Sequence, residues 1–132
     1  MHASEIMARP VPTVGLRTPV ADAVDLLIAR ALPALPVLDK DGRLVGLFSE
    51  ADALTSEVTY AGDDTVTVES AMTKQVEVAG PRADVADVAR LMLDHHLSCV
   101  PIVAGDMVFG LVTRTDVLRR PDRVAAGSAP AH

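Results

Sequence analysis

A chain of 132 residues is long enough for one compact domain or for two small halves that share a core. Its hydrophobic content of 49% and charged content of 23% are ordinary for a globular protein, but with no Trp, one Tyr and two Phe its core has to be built from Val, Leu, Ala and Met. A formal net charge of −6, lysines only at Lys40 and Lys74, and scattered arginines exclude a phosphate-backbone grip on nucleic acid, and the shortage of aromatics argues against a surface for stacking single-stranded bases.

Cys99 is the single cysteine, so no intramolecular disulfide is possible and a reduced, cytoplasmic setting is expected. Its neighbours in Leu97-Ser98-Cys99-Val100 suggest a buried, inert thiol. No apolar run approaches the ~18 residues of a membrane span. The start, Met1-His2-Ala3-Ser4-Glu5, has neither the basic segment nor the apolar stretch of a signal peptide. Scarce lysine beside arginine, with abundant Ala and Val, suggests a bacterial source.

Read from its first residue, the chain repeats itself. Met7, Val11, Gly15 and Arg17 fall on Met72, Val76, Gly80 and Arg82; Val20, Ala21 and Asp22 fall on Val85, Ala86 and Asp87; Leu26, Leu32 and Pro36 fall on Leu91, Leu97 and Pro101. One residue is then lost, after which Gly46, Leu47, Ser49, Asp52 and Leu54 meet Gly110, Leu111, Thr113, Asp116 and Leu118. Repeats are expected over 4–58 and 69–120, joined by a linker at 59–68 and followed by a disordered tail at 121–132.

Each repeat opens on a short amphipathic stub, Ser4 to Met7 or Glu69 to Met72, followed by a short extended stretch at Thr13-Val14 or Val76 to Val78. A helix comes next. Thr18 before Pro19 reads as a cap and first helical residue, and Val20, Ala23, Val24, Leu27 and Ile28 form its apolar stripe. In the second repeat Asp84 is the cap, and Val85, Val88, Ala89, Met92 and Leu93 are the stripe. Two strands follow. Leu35 to Leu38 is led by Pro36, which belongs at an edge or a strand entry, and Asp39 to Gly42 supplies a hairpin turn into Leu44 to Phe48. Val100 to Val103 turns at Ala104-Gly105-Asp106 into Met107 to Val112. Closing helices begin at Ala51 and Thr115, and Arg119-Arg120 is expected at a solvated helix end. The class is mixed α/β (α+β), a small mixed sheet with helices on it in each repeat.

The strand-to-helix junctions carry the only recurring chemistry. Gly46-Leu47-Phe48-Ser49-Glu50-Ala51-Asp52 and Gly110-Leu111-Val112-Thr113-Arg114-Thr115-Asp116 both place a hydroxyl three residues before an acid at a helix start. That is a capping-box pattern, which satisfies free backbone N–H groups. The same helix start is an anion site. A glycine inside a strand marks close approach, by a ligand or by a packed helix. Other chemistry finds little support. Adjacent His95 and His96 do not face one site and lack further ligands, Ser49 has no histidine partner or nucleophile elbow, and Asp63-Asp64 lie in the linker. No metal site and no catalytic residues are expected.

These residues resemble the cystathionine β-synthase (CBS) domain family. Ile6-Met7, Leu35-Pro36-Val37, Asp41-Gly42, Leu44-Val45-Gly46 and Ser49 to Asp52 carry the likeness in the first repeat. Ala71-Met72-Thr73, Val100-Pro101-Ile102, Val108-Phe109-Gly110 and Thr113 to Asp116 carry it in the second. The likeness covers about residues 4–120. It implies a tandem pair, or Bateman module: two β-α-β-β-α repeats packed through their sheets with pseudo-twofold symmetry. It also implies clefts for an adenosine-containing ligand (AMP, ADP, ATP, S-adenosylmethionine or NAD) with no obligatory cofactor, and assembly into a homodimer. A non-enzymatic regulatory protein signalling to an unknown protein partner follows, away from nucleic acid and membrane. The alternative is a ligand-free dimerisation or interaction module.

By the same resemblance Asp52 and Asp116 accept from ribose hydroxyls, whose two donors match a carboxylate's two oxygens, while Ser49 and Thr113 donate to a phosphate or ribose oxygen. Thr13, Val14, Val78 and Ala79 fall where family members line the adenine pocket. So do Ala34, Leu35, Cys99 and Val100, whose backbone groups are placed to read the base edge. Without aromatics, adenine would rest on aliphatic side chains and bind modestly. Arg114 can reach a phosphate that Glu50, its counterpart, would repel, so the second junction is expected to be the better phosphate site.

Overall fold

The structure is a computed structural model that describes residues 1–61 and 63–120; the expected tail at 121–132 and Gly62 of the expected linker lie outside the described residues. The chain divides into two compact units. The first comprises Val11–Val76 and Gly105–Val108, and the second Met1–Pro10, Glu77–Ala104 and the described residues from Phe109 on.

In the first unit, strands β1 (Val14–Gly15), β2 (Ala34–Leu38) and β3 (Leu44–Ser49) form one sheet in the order β1-β2-β3. Strand β1 runs parallel to β2, with Val14 beside Val37, and β2 is antiparallel to β3, with Leu35 beside Phe48. The Asp-Gly turn is made as the sequence predicts: Gly42 has φ 80°, and Asp39 accepts from the N–H groups of Asp41 and Arg43 at 2.9 Å each. Helices α1 (Val20–Arg30), α2 (Glu50–Thr59) and α3 (Val68–Ala71) complete the unit. Its core is Val14, Ala23, Leu27, Leu35, Val37, Phe48 and Val68.

The second unit repeats the scheme. A 3-10 turn at Ala3–Glu5 stands where α3 stands in the first; α4 (Val85–His95), strands β4 (Cys99–Ala104) and β5 (Met107–Thr113, in this unit from Phe109 on), and α5 (Arg114–Leu118) follow. The counterpart of β1 shrinks to a single parallel bridge, in which the Ala79 N–H donates to Pro101 O at 3.1 Å and Ala79 O accepts from the Val103 N–H at 2.8 Å. The core is Ala3, Val85, Val88, Met92, Val100, Ile102, Val112 and Val117.

The opening stub of each repeat is built into the other unit. Ala3 lies in the core with Val85 and Val88, and Val68 lies in the core with Val14 and Leu27. The hydrogen bonds that tie them down correspond one for one. Ala3 N donates to Ala83 O at 2.8 Å, as Val68 N donates to Thr18 O at 2.8 Å. Ser4 N donates to Pro81 O, as Glu69 N donates to Leu16 O; Val85 N donates to Met1 O, as Val20 N donates to Val66 O.

Three local expectations change. The Thr18 hydroxyl accepts from the Gly15 N–H at 2.9 Å and closes the turn before α1, instead of capping a helix that begins at Val20. Pro36 lies inside β2, but β1 pairs only with Val37 and Leu38, so β2 is unpaired on that side at Pro36 and its missing N–H costs no sheet bond. The apolar stripes are one position narrower than expected: Ile28 and Leu93, equivalent in the repeat, are 74% and 76% exposed. The expected Asp84 cap is present, accepting from the Ala86 N–H at 3.3 Å.

Helices α1 and α4 both end on a left-handed residue that is not glycine, Ala31 at φ 51° and His96 at φ 55°. This conformation places Cβ against the following carbonyl, whereas glycine adopts it freely. Ala31→Gly and His96→Gly are therefore expected to raise stability by roughly 0.5–1 kcal/mol each, after the extra entropy of an unfolded glycine is deducted. Urea unfolding would show a higher midpoint with an unchanged slope; a lower midpoint would contradict the strain.

Candidate functional site

Each junction is set by the end of a strand and the first turn of a helix. Ser49 ends β3 with extended backbone (φ −101°, ψ 169°), and its Oγ accepts from the Asp52 N–H at 3.1 Å. Asp52 Oδ2 accepts from the Ser49 N–H at 2.9 Å. At Thr113 the angles are φ −100° and ψ 168°; Oγ1 accepts from the Asp116 N–H at 3.2 Å and Asp116 Oδ2 from the Thr113 N–H at 2.8 Å. Both capping boxes are thus closed in both directions, and a cap of this kind contributes about 1 kcal/mol to its helix. The helix starts are anchored alike, Glu50 N to Pro33 O at 3.0 Å and Arg114 N to Ser98 O at 3.3 Å.

The two leading glycines are explained by packing. A Cβ on Gly46 would lie 2.5 Å from Met72 Sδ and 3.0 Å from Thr73 O. A Cβ on Gly110 would run into Met7 Sδ and come within 2.9 Å of Met7 Cβ. The methionine of each opening stub thus lies directly against the strand of the unit it joins. Beyond each methionine the stub bridges to that strand: Thr73 pairs with Leu47 through two bonds of 2.9 and 2.8 Å, and Ala8 pairs with Leu111 through two of 2.8 and 3.2 Å.

The bridges bring a residue to the first junction that the sequence did not single out. The Thr73 hydroxyl donates to both carboxylate oxygens of Asp52, at 3.2 Å each. Its counterpart is Ala8, which has no hydroxyl, and Asp116 Oδ1 has no hydrogen-bond partner among the described residues. The signal was available in the repeat, as a hydroxyl on one side and an alanine on the other, but which carboxylate it meets depends on the stub joining the opposite unit.

The sequence-derived residues divide between the units. Thr13, Val14, Leu35, Ser49 and Asp52 belong to the first, and Val78, Ala79, Cys99, Val100, Thr113, Arg114 and Asp116 to the second. Ser49, Asp52, Thr113 and Asp116 are half-buried at the junctions, and Thr13, Val78 and Arg114 are exposed. The side chains of Leu35, Cys99 and Val100 are sealed in the cores, so only their backbone groups are available to a ligand. Arg114 Nε donates to Leu97 O at 2.9 Å, which fixes the guanidinium beside the start of α5. Exposed Glu50 occupies the equivalent place.

The remaining candidates are placed in structural roles. His95 Nδ1 lies 3.8 Å from Glu77 Oε1, and His96 is the left-handed residue that ends α4. Among the described residues no three His, Cys, Asp or Glu side chains come together as metal ligands, and no helix is long and apolar enough to cross a membrane. Asp63 accepts from the Thr65 hydroxyl at 2.6 Å and the Thr65 N–H at 2.9 Å, which holds its carboxyl below the usual range.

This duplicated strand-to-helix architecture has known relatives. The family model of the CBS domain matches residues 3–58 and 68–123, so the chain belongs to the CBS-domain family and carries two copies of the domain. It is 28% identical over 117 residues to the A-adding tRNA nucleotidyltransferase of Geobacter sulfurreducens, a stretch that is 89% of this chain and 13% of that enzyme. It is 27% identical over 152 residues to the uncharacterized protein MJ1426 of Methanocaldococcus jannaschii, covering 89% of each. Coverage of other relatives is low: the chain spans 37% of a 33.4 kDa protein of Thermofilum pendens and 23% of an inosine-5'-monophosphate dehydrogenase of M. jannaschii. Among solved structures it is similar to CBSX2 in complex with AMP, with 28% identity, a TM-score of 0.81, and coverage of 94% of this chain and 98% of that one. It is also similar to the CBS domain pair of MJ0100 in complex with 5'-methylthioadenosine and S-adenosyl-L-methionine, with 27% identity, a TM-score of 0.81, and coverage of 96% and 97%.

Cys99 is 2% exposed, and burial pushes its thiol up to about 12 from an ordinary value of 9.0, against a smaller opposing effect of the Ser98 hydroxyl. The folded state therefore disfavours the thiolate. The thiol's contribution to stability is complete below its unfolded pKa and is lost as pH rises from about 9 toward the folded value. Between those limits wild-type stability in urea is expected to fall more steeply with pH than that of Cys99→Ala. Parallel slopes would show that the thiol titrates alike in both states.

Proposed function

We propose that the chain is a regulatory module that holds an adenosine-containing ligand at its strand-to-helix junctions and passes the bound state to a protein partner. The observation that carries this is the recurrence of one hydroxyl–carboxylate junction at equivalent places in both repeats. Two CBS-pair structures with which the chain shares 28% and 27% identity contain AMP in one case, and methylthioadenosine with S-adenosylmethionine in the other. The moiety common to these three is adenosine.

In this role Asp52 and Asp116 accept from the ribose diol, Ser49 and Thr113 offer hydroxyls to the ribose or phosphate, and Arg114 supplies the positive charge that Glu50 does not. The base rests on Thr13 and the Val14 and Leu35 backbone in the first unit, and on Val78, Ala79 and the Cys99–Val100 backbone in the second. AMP, ADP, ATP, S-adenosylmethionine and NAD all offer the required diol. No catalytic step is assigned, and the enzymatic activity of the nucleotidyltransferase is not carried to a chain that spans 13% of it. The working form is a cytoplasmic homodimer. Sedimentation at micromolar concentration is expected at twice the chain mass, and a monomer would count against assembly.

The second reading, a ligand-free interaction module, is favoured by one observation at the first junction. There the caps are closed and the Asp52 carboxylate already accepts from Ser49 and Thr73. Thermal unfolding with each of the five ligands in turn separates the two. A ligand at ~100 times its dissociation constant adds about 2.7 kcal/mol, which raises the midpoint by several degrees. Asp116→Ala is expected to remove most of that rise and Asp52→Ala less. No rise with any ligand at millimolar concentration would leave the interaction module, and the opposite ranking of the two variants would refute the inequality of the junctions.

A further inference from the structure

The two junctions share a sequence pattern but differ in what their carboxylates have left to offer. Asp52 accepts the Ser49 N–H on Oδ2 at 2.9 Å and the Thr73 hydroxyl on both oxygens at 3.2 Å. Asp116 accepts the Thr113 N–H on Oδ2 at 2.8 Å, and its Oδ1 has no partner among the described residues. Thr73 is not a wandering side chain: its backbone is locked to Leu47 by bonds of 2.9 and 2.8 Å, which presents the hydroxyl to Asp52. Ala8 is locked to Leu111 in the same manner, by bonds of 2.8 and 3.2 Å, so a threonine there would meet Asp116.

We infer that Thr73 is a built-in occupant of the first junction, a specificity-setting hydroxyl that competes with a ligand diol for the Asp52 carboxylate, while Ala8 leaves Asp116 open. The inference rests on the adenosine reading above and adds the residue that makes the two sites unequal. A hydroxyl donating to a carboxylate has the same chemistry as a ribose hydroxyl. A diol arriving at Asp52 competes with the Thr73 donor for both carboxylate oxygens, and it gains correspondingly less than one arriving at Asp116. The loss is one solvent-accessible, charge-assisted hydrogen bond, which corresponds to roughly three- to tenfold in affinity. The occupant also weakens discrimination: where part of the carboxylate's acceptor capacity is already taken, removing a ligand hydroxyl removes less.

The test is calorimetric titration of the full chain with AMP and with 2'-deoxy-AMP. In an Asp116→Ala background, which isolates the first junction, Thr73→Val is expected to tighten AMP by about three- to tenfold and to widen the preference for AMP over the deoxy form. Thr73→Ser keeps the hydroxyl and is expected to leave both quantities as they were. In an Asp52→Ala background, Ala8→Thr is expected to weaken AMP by a similar factor and narrow that preference. A purely structural Thr73 would move affinity without moving the ratio of the two nucleotides. An unchanged ratio on Thr73→Val overturns the inference, as does weaker AMP binding in that variant or failure of Thr73→Val to bind AMP when the unsubstituted chain does. If the unsubstituted chain and Thr73→Val both ignore AMP and 2'-deoxy-AMP at millimolar concentration, the adenosine reading itself falls, and the inference with it.

Discussion

The contact on which both units depend is a methionine lying against a glycine. Gly46 and Gly110 sit inside strands, where a glycine forfeits side-chain packing and adds unfolded-state entropy, a cost of about 0.5–1 kcal/mol relative to alanine in a regular element. Each is retained where Met72 or Met7 occupies the space of the missing Cβ. The methionine belongs to a stub that carries Ala3 or Val68 into a core otherwise made by the opposite repeat. Neither repeat closes its core with its own stub. Substituting alanine at either glycine would push against sulfur and, at Gly46, against the backbone of Thr73, an overpacking of the kind that costs about 1–3 kcal/mol.

That exchange sets what lies beside each carboxylate. A capping box alone involves only its own strand and helix, and the two boxes here match to within a few tenths of an ångström. What differs arrives on the stub, one residue after the methionine: Thr73 at Asp52, Ala8 at Asp116. The caps are therefore constant and the approach to them is variable. A duplicated scaffold can diverge in ligand preference through the stub without disturbing either helix start, because the residue that varies sits on an exposed surface and takes no part in the core.

Much of the fold was legible because its signals are local or periodic. The Asp-Gly turn, the Asp84 cap, the hydroxyl–acid caps and the buried Cys99 follow from residue chemistry over a few positions, and all are present. The in-register repeat identified the family that the CBS-domain model matches. Other features escaped for identifiable reasons. Thr18 looked like a helix cap, but its hydroxyl had a nearer donor in Gly15. Ile28 and Leu93 sit at helical spacing from core residues, yet both are exposed, because periodicity marks an apolar stripe without defining how wide a part of it is covered. Sequence alone leaves the glycines open to ligand approach or packing, and only the identity of the contacting residue, a methionine far along the chain, decides it. Thr73 was hidden for the same reason: its contact with Asp52 spans segments that no local rule links.

The inequality proposed for the two junctions would have two independent sources, both acting in the same direction. One is charge: Arg114 stands at the second junction, tethered through Nε to Leu97 O, where the first has Glu50. The other is occupancy: Thr73 takes up acceptor capacity on Asp52 that Asp116 keeps. On the adenosine reading they address different parts of a nucleotide. Charge discriminates by phosphate and is screened by salt at so exposed a position. Occupancy discriminates by the sugar hydroxyls and is insensitive to salt. An uncharged ligand with a diol, such as a nucleoside, would therefore sense only Thr73, whereas a phosphorylated one would sense both. On this reading the preference between junctions would be steepest for nucleotides at low ionic strength, and it would narrow to the hydroxyl effect alone for an uncharged ligand.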